Sequence, residues 1–501
     1  MTFHTSLLFR VGFWIGLLSI FFPLSMEAHV GNPHVVFEGK AGAMPIRVVV
    51  RQPDVVPGLA EISVQVLEGT PSRVTALPLH WNVARKGAPA ADVARLLPGE
   101  TNLYQAQLWL MTSGAYGVEV SLEGERGGSV IVPVNSVAYQ RKAMPMVLKI
   151  ISAFLGFVLA VGVIAISVAG SRDGHRPSGE ERVLSGQSRG VVGAVVGLGV
   201  VAVAVLGGYR WWDAEDEAHR TRVLFKPVEH RVAVHQTPEG SRIQLEFTDP
   251  RMRQSSFAFA EDHGKWLHLF LIGASSNQIF AHLHPTRSGP QSFQSLVPAL
   301  PEGVYRLFVD LTHESGLTET LTNAVRIANN VSSSPVDSDP DDSFSNVALS
   351  SADVVDLGPG IRMNLKASTM LKTGRPEVLE VFVEDEQGRA VALQPYLRML
   401  GHAVVERVDG SVFSHVHPAG TLSMAAARGF AKRTGGDVAV KDVDAVCGDL
   451  SAMPEAQALA LGLGGRVGFP FVFPVDGDYA IWIQVKVKSQ ILTGAFRRTV
   501  H

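Results

Sequence analysis

The tetrapeptide His-x-His-Pro occurs twice, as His282-Leu283-His284-Pro285 and His415-Val416-His417-Pro418. Residues i and i+2 of a strand point to one face, so each copy presents two imidazoles side by side. Neutral imidazole pairs are common components of zinc and copper sites. Each copy follows an apolar stretch with a further histidine, His268 in Trp266-Leu267-His268-Leu269-Phe270 and His402 in Met399-Leu400-Gly401-His402-Ala403. Downstream of the first copy come His313 and two carboxylates, Asp310 and Glu314, able to fix imidazole tautomers or to ligate. His268, His282, His284 and His313 together predict a copper or zinc site.

His402, His415 and His417 repeat that set, but no histidine stands where His313 would fall. Met424 or the single cysteine, Cys447, would be the soft ligand that completes it, leaning toward Cu(I). The first copy is therefore expected to be the better site. A competing reading makes His268, His282, His284 and His313 strand-end histidines that face solvent or bond to backbone carbonyls, and the second copy a degenerate, purely structural repeat. A third candidate depends on processing. Cleavage after Ala28 would expose His29, whose amine and ring chelate copper, with His34 nearby.

The elements that must carry these residues are short β-rich stretches punctuated by turn residues. Residues 29–140, 222–328 and 346–501 share that texture, and each has a late Gly-x-Tyr: Gly114-Ala115-Tyr116, Gly303-Val304-Tyr305 and Gly477-Asp478-Tyr479. A tyrosine bonding back to the chain at a sheet corner is an immunoglobulin-like device. The expected fold is mainly β, with three immunoglobulin-like β-sandwich domains plus a two-helix transmembrane hairpin. An insertion at 421–468 in the third domain has helical propensity and should form one or two short helices near the His-x-His-Pro turn.

Hydrophobic residues make up 46 % of the 501, and mean hydropathy is +0.17, which points to membrane segments. Residues 1–28 read as a signal peptide, or as an anchor if Met26 prevents cleavage. Uncharged runs within 146–170 and 191–209 meet the length of a membrane crossing, the second barely. The intervening 171–190 carries four arginines and reads as a cytoplasmic loop, although Arg141, Lys142 and Lys149 on the far side nearly balance it. An exported first domain settles the orientation, because two spans return the chain to the same side. Residues 329–345, with Ser, Pro and Asp and no apolar period, read as a flexible linker kept soluble by charge, with weak calcium binding as the alternative.

A net charge of −3 without a basic patch excludes a nucleic-acid partner. One cysteine excludes a disulfide framework and a thiolate zinc cluster. No nucleophile with a base, phosphate loop or paired-carboxylate motif is legible, so the expectation is a non-enzymatic protein.

The stretches "WLHLFLIGASSNQIFAHLHP" and "LPEGVYRLFVDLTHESG" resemble YtkA/FixH-like bacterial envelope proteins, and "LGHAVVERVDGSVFSHVHP" with "FPVDGDYAIWIQV" does so more loosely. That resemblance implies immunoglobulin-like sandwiches outside the membrane, in proteins linked to copper or heavy-metal handling. The whole reads as a protein of the bacterial inner (cytoplasmic) membrane, its soluble domains facing the periplasm or cell exterior. It would bind or buffer a transition metal, copper (or zinc), with other envelope or metal-handling proteins as partners. A non-enzymatic interaction scaffold is the main alternative, and copper oxidase or oxygenase chemistry at an exposed His29 is the other.

Overall fold

The computed structural model describes residues 34–139, 144–173, 187–328, 339–434, 450 and 454–501. The signal segment with His29, most of the loop between the apolar helices, residues 329–338 and Cys447 lie outside the described residues.

As expected, the chain is mainly β, with sandwich-like pairs of sheets and a helical hairpin. The first sandwich contains β1 (His34–Ala41), β2 (Met44–Arg51), β3 (Gly58–Val66), β4 (Arg73–His80), β5 (Asp92–Val93), β6 (Arg95–Leu96), β7 (Leu103–Leu110), β8 (Gly114–Glu123) and β9 (Gly128–Ser136). Its sheets, in the orders β1-β2-β3-β7-β6 and β5-β4-β8-β9, enclose an aliphatic core that includes Ile46, Val64, Val118 and Val132.

Two helices follow, α1 (Met146–Asp173) and α2 (Gln187–Arg222). Both are long and apolar enough to cross a membrane. They lie against each other where α2 carries Gly193 and Gly197. A Cβ at Gly193 would stand 2.4 Å from the Ser167 carbonyl oxygen, so only glycine permits this approach. Helix α2 does not stop at the apolar boundary near 209 but runs on to Arg222, with Arg220 bonded to Asp216 one turn earlier.

The second sandwich is built from β10 (His230–Thr237), β11 (Gly240–Phe247), β12 (Phe259–Ala260), β13 (His268–Gly273), β14 (Ile279–Leu283), β15 (Thr286–Gly289), β16 (Ser292–Leu296), β17 (Gly303–His313), β18 (Thr318–Ile327) and β19 (Ser343–Asn346). One sheet runs β10-β11-β16-β15; the other runs β12-β17-β13-β14-β19, with β18 also on β17. Pairing of β19 with β14 corrects the linker boundary. Residues 343–346 complete this sheet, and Asp339 and Asp341, just before them, hold Lys265 at 2.5 and 3.2 Å.

The third sandwich adds β20 (Val354–Gly358), β21 (Ile361–Lys366), β22 (Pro376–Asp385), β23 (His402–Arg407), β24 (Phe413–Val416), β25 (Arg466–Val472), β26 (Gly477–Val487) and β27 (Gln490–Val500). Its sheets run β20-β21-β22-β25 and β24-β23-β26-β27. The insertion forms α3 (Met424–Thr434) and α4 (Glu455–Gly462).

All three tyrosines sit at strand corners and bond to the residue four places upstream. Tyr305 and Tyr479 donate to the carbonyls of Pro301 and Val475 at 2.6 and 2.8 Å, and the Tyr116 hydroxyl accepts from the Thr112 amide at 3.3 Å.

The sandwiches are not beads on a string. Sheet β12-β17-β13-β14-β19 packs face to face on sheet β24-β23-β26-β27. Along β13, Leu269 and Leu271 enter the core of their own sandwich, whereas Phe270 and Ile272 point the other way into an inter-domain core. In β23 Ala403 and Val405 turn inward and Val404 outward. Phe308 stacks on Phe413 at 4.1 Å and Phe280 on Trp482 at 5.0 Å, pairs worth about 0.5–1.5 kcal/mol each beyond their buried area. Arg306 forks onto Glu406 of the third sandwich at 2.7 and 3.0 Å.

The first sandwich clasps this pair from the side. The Glu38 amide donates to the Ala419 carbonyl and the Thr421 amide to the Val36 carbonyl, both at 2.9 Å. Helix α3 lays Met424, Ala427 and Ala431 into the core of the first sandwich. Asn135 and the start of β18 exchange hydrogen bonds, so the first sandwich also touches the second.

Candidate metal centre

The period-two alternation that puts Phe270 and Ile272 in the inter-domain core puts His268 there too, at the start of β13. On β14, His282 lies opposite Phe270, and His284 follows at the strand end before Pro285. The third sandwich repeats the device: His402 opens β23, and His415 and His417 lie on and just after β24. The two sets face each other across the seam, and all six side chains are buried.

Within each set the ligand atoms lie within 4.8 Å of one another. His268 Nδ1 stands 3.2 Å from His282 Nε2, and His402 Nδ1 stands 3.1 Å from His415 Nε2. Two nitrogens bound to one ion at about 2.0–2.1 Å, at a tetrahedral angle, are roughly 3.4 Å apart. The spacing is that of ligands around an ion.

Two outer ring nitrogens are bonded, and a third is faced, by groups that fix which nitrogen points into the site. His282 Nδ1 meets the Gln484 amide oxygen at 2.9 Å, His284 Nδ1 meets Asp342 at 3.0 Å, and His415 Nδ1 faces Asp310 at 3.6 Å. Gln484 belongs to the third sandwich and Asp310 to the second, so each set is oriented partly from across the seam.

A seventh histidine belongs to the group and was not anticipated. His263 sits at a positive φ of 53° in the tight turn Asp262–Lys265 and is 2 % exposed. Its Nε2 lies 3.1 Å from His417 Nε2, reaching from the second sandwich to the third. The corresponding turn of the third sandwich, Tyr396–Met399, has Leu397 at that place with φ 48°. A lone His beside a turn glycine carries no periodic signal, so only the fold reveals it.

Two expectations are corrected. His313 does not join the site: its ring bonds to the Phe257 carbonyl at 2.7 Å and to Glu319 at 2.9 Å. It is a buried structural histidine, and Glu314 beside it is exposed. Met424 faces the first sandwich's core and supplies no soft ligand. The expected superiority of the first His-x-His-Pro therefore loses its basis, since both sets hold three imidazoles and His263 lies on the second. Three of the four aspartates read as linker charge also change role, because Asp342 holds His284 while Asp339 and Asp341 pair with Lys265.

Burial, reinforced by neighbouring imidazoles, drives the pKa values of His263, His268, His282, His402 and His415 well below the usual 6.5. The rings are neutral, the form that ligates metal. Burial pushes Asp310 up to about 7, partly offset by a hydrogen bond from Thr320. Four buried ring nitrogens, His263 Nδ1, His268 Nε2, His284 Nε2 and His402 Nε2, have no hydrogen-bond partner among the described residues. A cavity of about 1010 Å³ lies between the three sandwiches, and His268, His415, His417, Asp262 and Asp310 form part of its wall. The set of imidazoles without thiolates suits copper or zinc and is unlike an oxygen-donor site for calcium or magnesium.

Residues 354–501, the third sandwich, match a domain of unknown function (DUF8832). No curated protein matches the chain. Among solved structures, a tetra-tandem repeat from the extending region of a large adhesion protein is 9 % identical, with 89 % of this chain and 71 % of that one covered and a TM-score of 0.16. Latent PorU from Porphyromonas gingivalis is 9 % identical over 93 % of this chain and 34 % of its own, with a TM-score of 0.15. Salmonella alpha-2-macroglobulin is 9 % identical over 95 % and 24 %, with a TM-score of 0.20. The chain thus spans about a third and a quarter of the latter two proteins.

Proposed function

We propose that this is a membrane-anchored, extracytoplasmic protein of the bacterial inner membrane that binds or buffers copper in the seam between its second and third β-sandwiches. The observation that carries the reading is the burial of two three-imidazole sets whose facing nitrogens have ligand spacing. Burying a polar nitrogen without a partner costs about 1–3 kcal/mol, and at His284 Nε2, whose other ring nitrogen is held by Asp342, a bound ion recovers that cost. For a given nitrogen site, copper(II) binds more tightly than zinc.

The anchor is the α1–α2 hairpin. Phe225, just beyond α2, donates its amide to Ala138, just before α1, so the sandwiches flanking the hairpin meet at one end of it. That contact supports two crossings with all sandwiches on one side, and the signal-like first residues favour the outer side. Resemblance to YtkA/FixH-like envelope proteins points the same way and to partners among metal-handling envelope proteins. The role is binding rather than catalysis.

The full chain, purified in detergent, stripped with chelator and dialysed against copper or zinc, tests this. Stoichiometric copper retained by the wild type and reduced in His282→Ala with His284→Ala is expected. A wild type that retains no metal, or a double variant that retains as much, would leave a scaffold whose histidines are structural.

A further inference from the structure

The spacing between the two histidine sets is the same as the spacing within them. Inside the sets, ring centroids are 5.4 Å apart for His268 and His282 and 5.2 Å for His402 and His415. Across the seam they are 5.0 Å for His268 and His415 and 5.4 Å for His282 and His415. No side-chain layer separates one set from the other. His263 comes within 6.0 Å of His268 and 4.4 Å of His417, so it borders both.

Resting on the metal-binding reading above, we propose that the two sets and His263 form a single dinuclear copper centre. One ion takes His268, His282 and His284. The other takes His402, His415 and His417, with His263 as a fourth ligand supplied across the domain boundary. The two ions are therefore inequivalent: one has three imidazoles and an open position, the other four.

The orienting groups carry the same logic. Gln484 of the third sandwich fixes a ligand of the first ion, and Asp310 of the second sandwich faces a ligand of the other. The Tyr396 hydroxyl of the third sandwich also approaches His282 Nδ1, at 3.4 Å. Neither half has its full set of ligands and orienting groups when its domain stands alone. Loading both ions should therefore fasten the second sandwich to the third.

Chelator-stripped full-length protein in detergent is titrated with Cu(II), and retained copper and the electron paramagnetic resonance spectrum are recorded. Two retained ions per chain are expected, with a half-field transition appearing as the second equivalent binds. His402→Ala with His415→Ala should retain one ion and show an isolated Cu(II) spectrum. The reciprocal His268→Ala with His282→Ala should do the same. His263→Ala should keep its circular dichroism and weaken one of the two ions by about tenfold or more. One retained ion per wild-type chain, or two whose spectrum is the plain sum of isolated ions, overturns the dinuclear centre but leaves copper binding standing. A wild type without copper overturns both. Should the double variants fail to fold, wild-type stoichiometry and the half-field transition decide.

Discussion

Acid should loosen the metal-free seam, and the size of the effect follows from its titratable groups. His263, His268, His282, His402 and His415 have pKa values held well below 6.5, first by burial and then by one another's proximity. A base with a depressed folded pKa takes up its proton first in the unfolded chain. Its contribution to stability is therefore intact above 6.5 and lost as pH falls below that value.

For a ring that stays neutral in the fold, moving from about pH 7 to about 5.5 costs slightly over about 1 kcal/mol, so five together cost about 6 kcal/mol. Two carboxyls oppose this. Burial pushes Asp310 and Glu406 up to about 7, despite the Thr320 and Arg306 hydrogen bonds. A carboxyl with a raised folded pKa gains its proton first in the fold, so the two together add roughly 3 kcal/mol of stability over the same interval. The expected net loss is about 3 kcal/mol, a large part of the roughly 5–15 kcal/mol that holds a typical domain together.

Denaturant titration of chelator-stripped protein at several pH values, with hydrogen exchange read at the amides of β13 and β23, measures it. Glu406→Gln removes one opposing group and should deepen the loss. A stability that stays flat within about 1 kcal/mol from pH 7 to 5.5 would refute the view that the seam holds neutral, proton-excluding imidazoles.

Two further changes test how the seam and its clasp are built. Arg306→Met strands Glu406, which is 0 % exposed, without its cation, and should cost about 3–5 kcal/mol in thermal or denaturant unfolding. Adding Glu406→Leu should recover most of that, and a harmless single change would show that the pair is not sealed. Gly420→Ala would place a Cβ 2.0 Å from the Val36 carbonyl oxygen at a backbone φ of 115°. Destabilisation of about 2 kcal/mol or more and faster exchange of the Glu38 amide are expected; wild-type exchange there would rule out the close docking of the first sandwich on the His-x-His-Pro loop.

Much of the architecture is written locally. Period-two strands, turn residues and the three Gly-x-Tyr corners specify sandwiches because each acts within a few residues of itself. Two uncharged runs specify the helical hairpin for the same reason. Six of the seven seam histidines are legible from the doubled His-x-His-Pro and the strand-opening histidines His268 and His402. The stretch from Leu267 to Ile272 carried one more signal, since it is apolar on both faces, as a strand covered on both sides must be.

The sequence by itself determined which side chains can ligate and that they would arrive in repeated groups, since strand alternation and local turns suffice for that. Only the tertiary structure decided that the groups meet. Packing of one outer sheet face on another is set by Phe270, Phe308, Phe413 and Trp482, residues far apart in the chain whose complementarity has no period to read. The same packing brings in His263 from a turn, leaves His313 with Glu319, and turns two half-sites into one buried cluster.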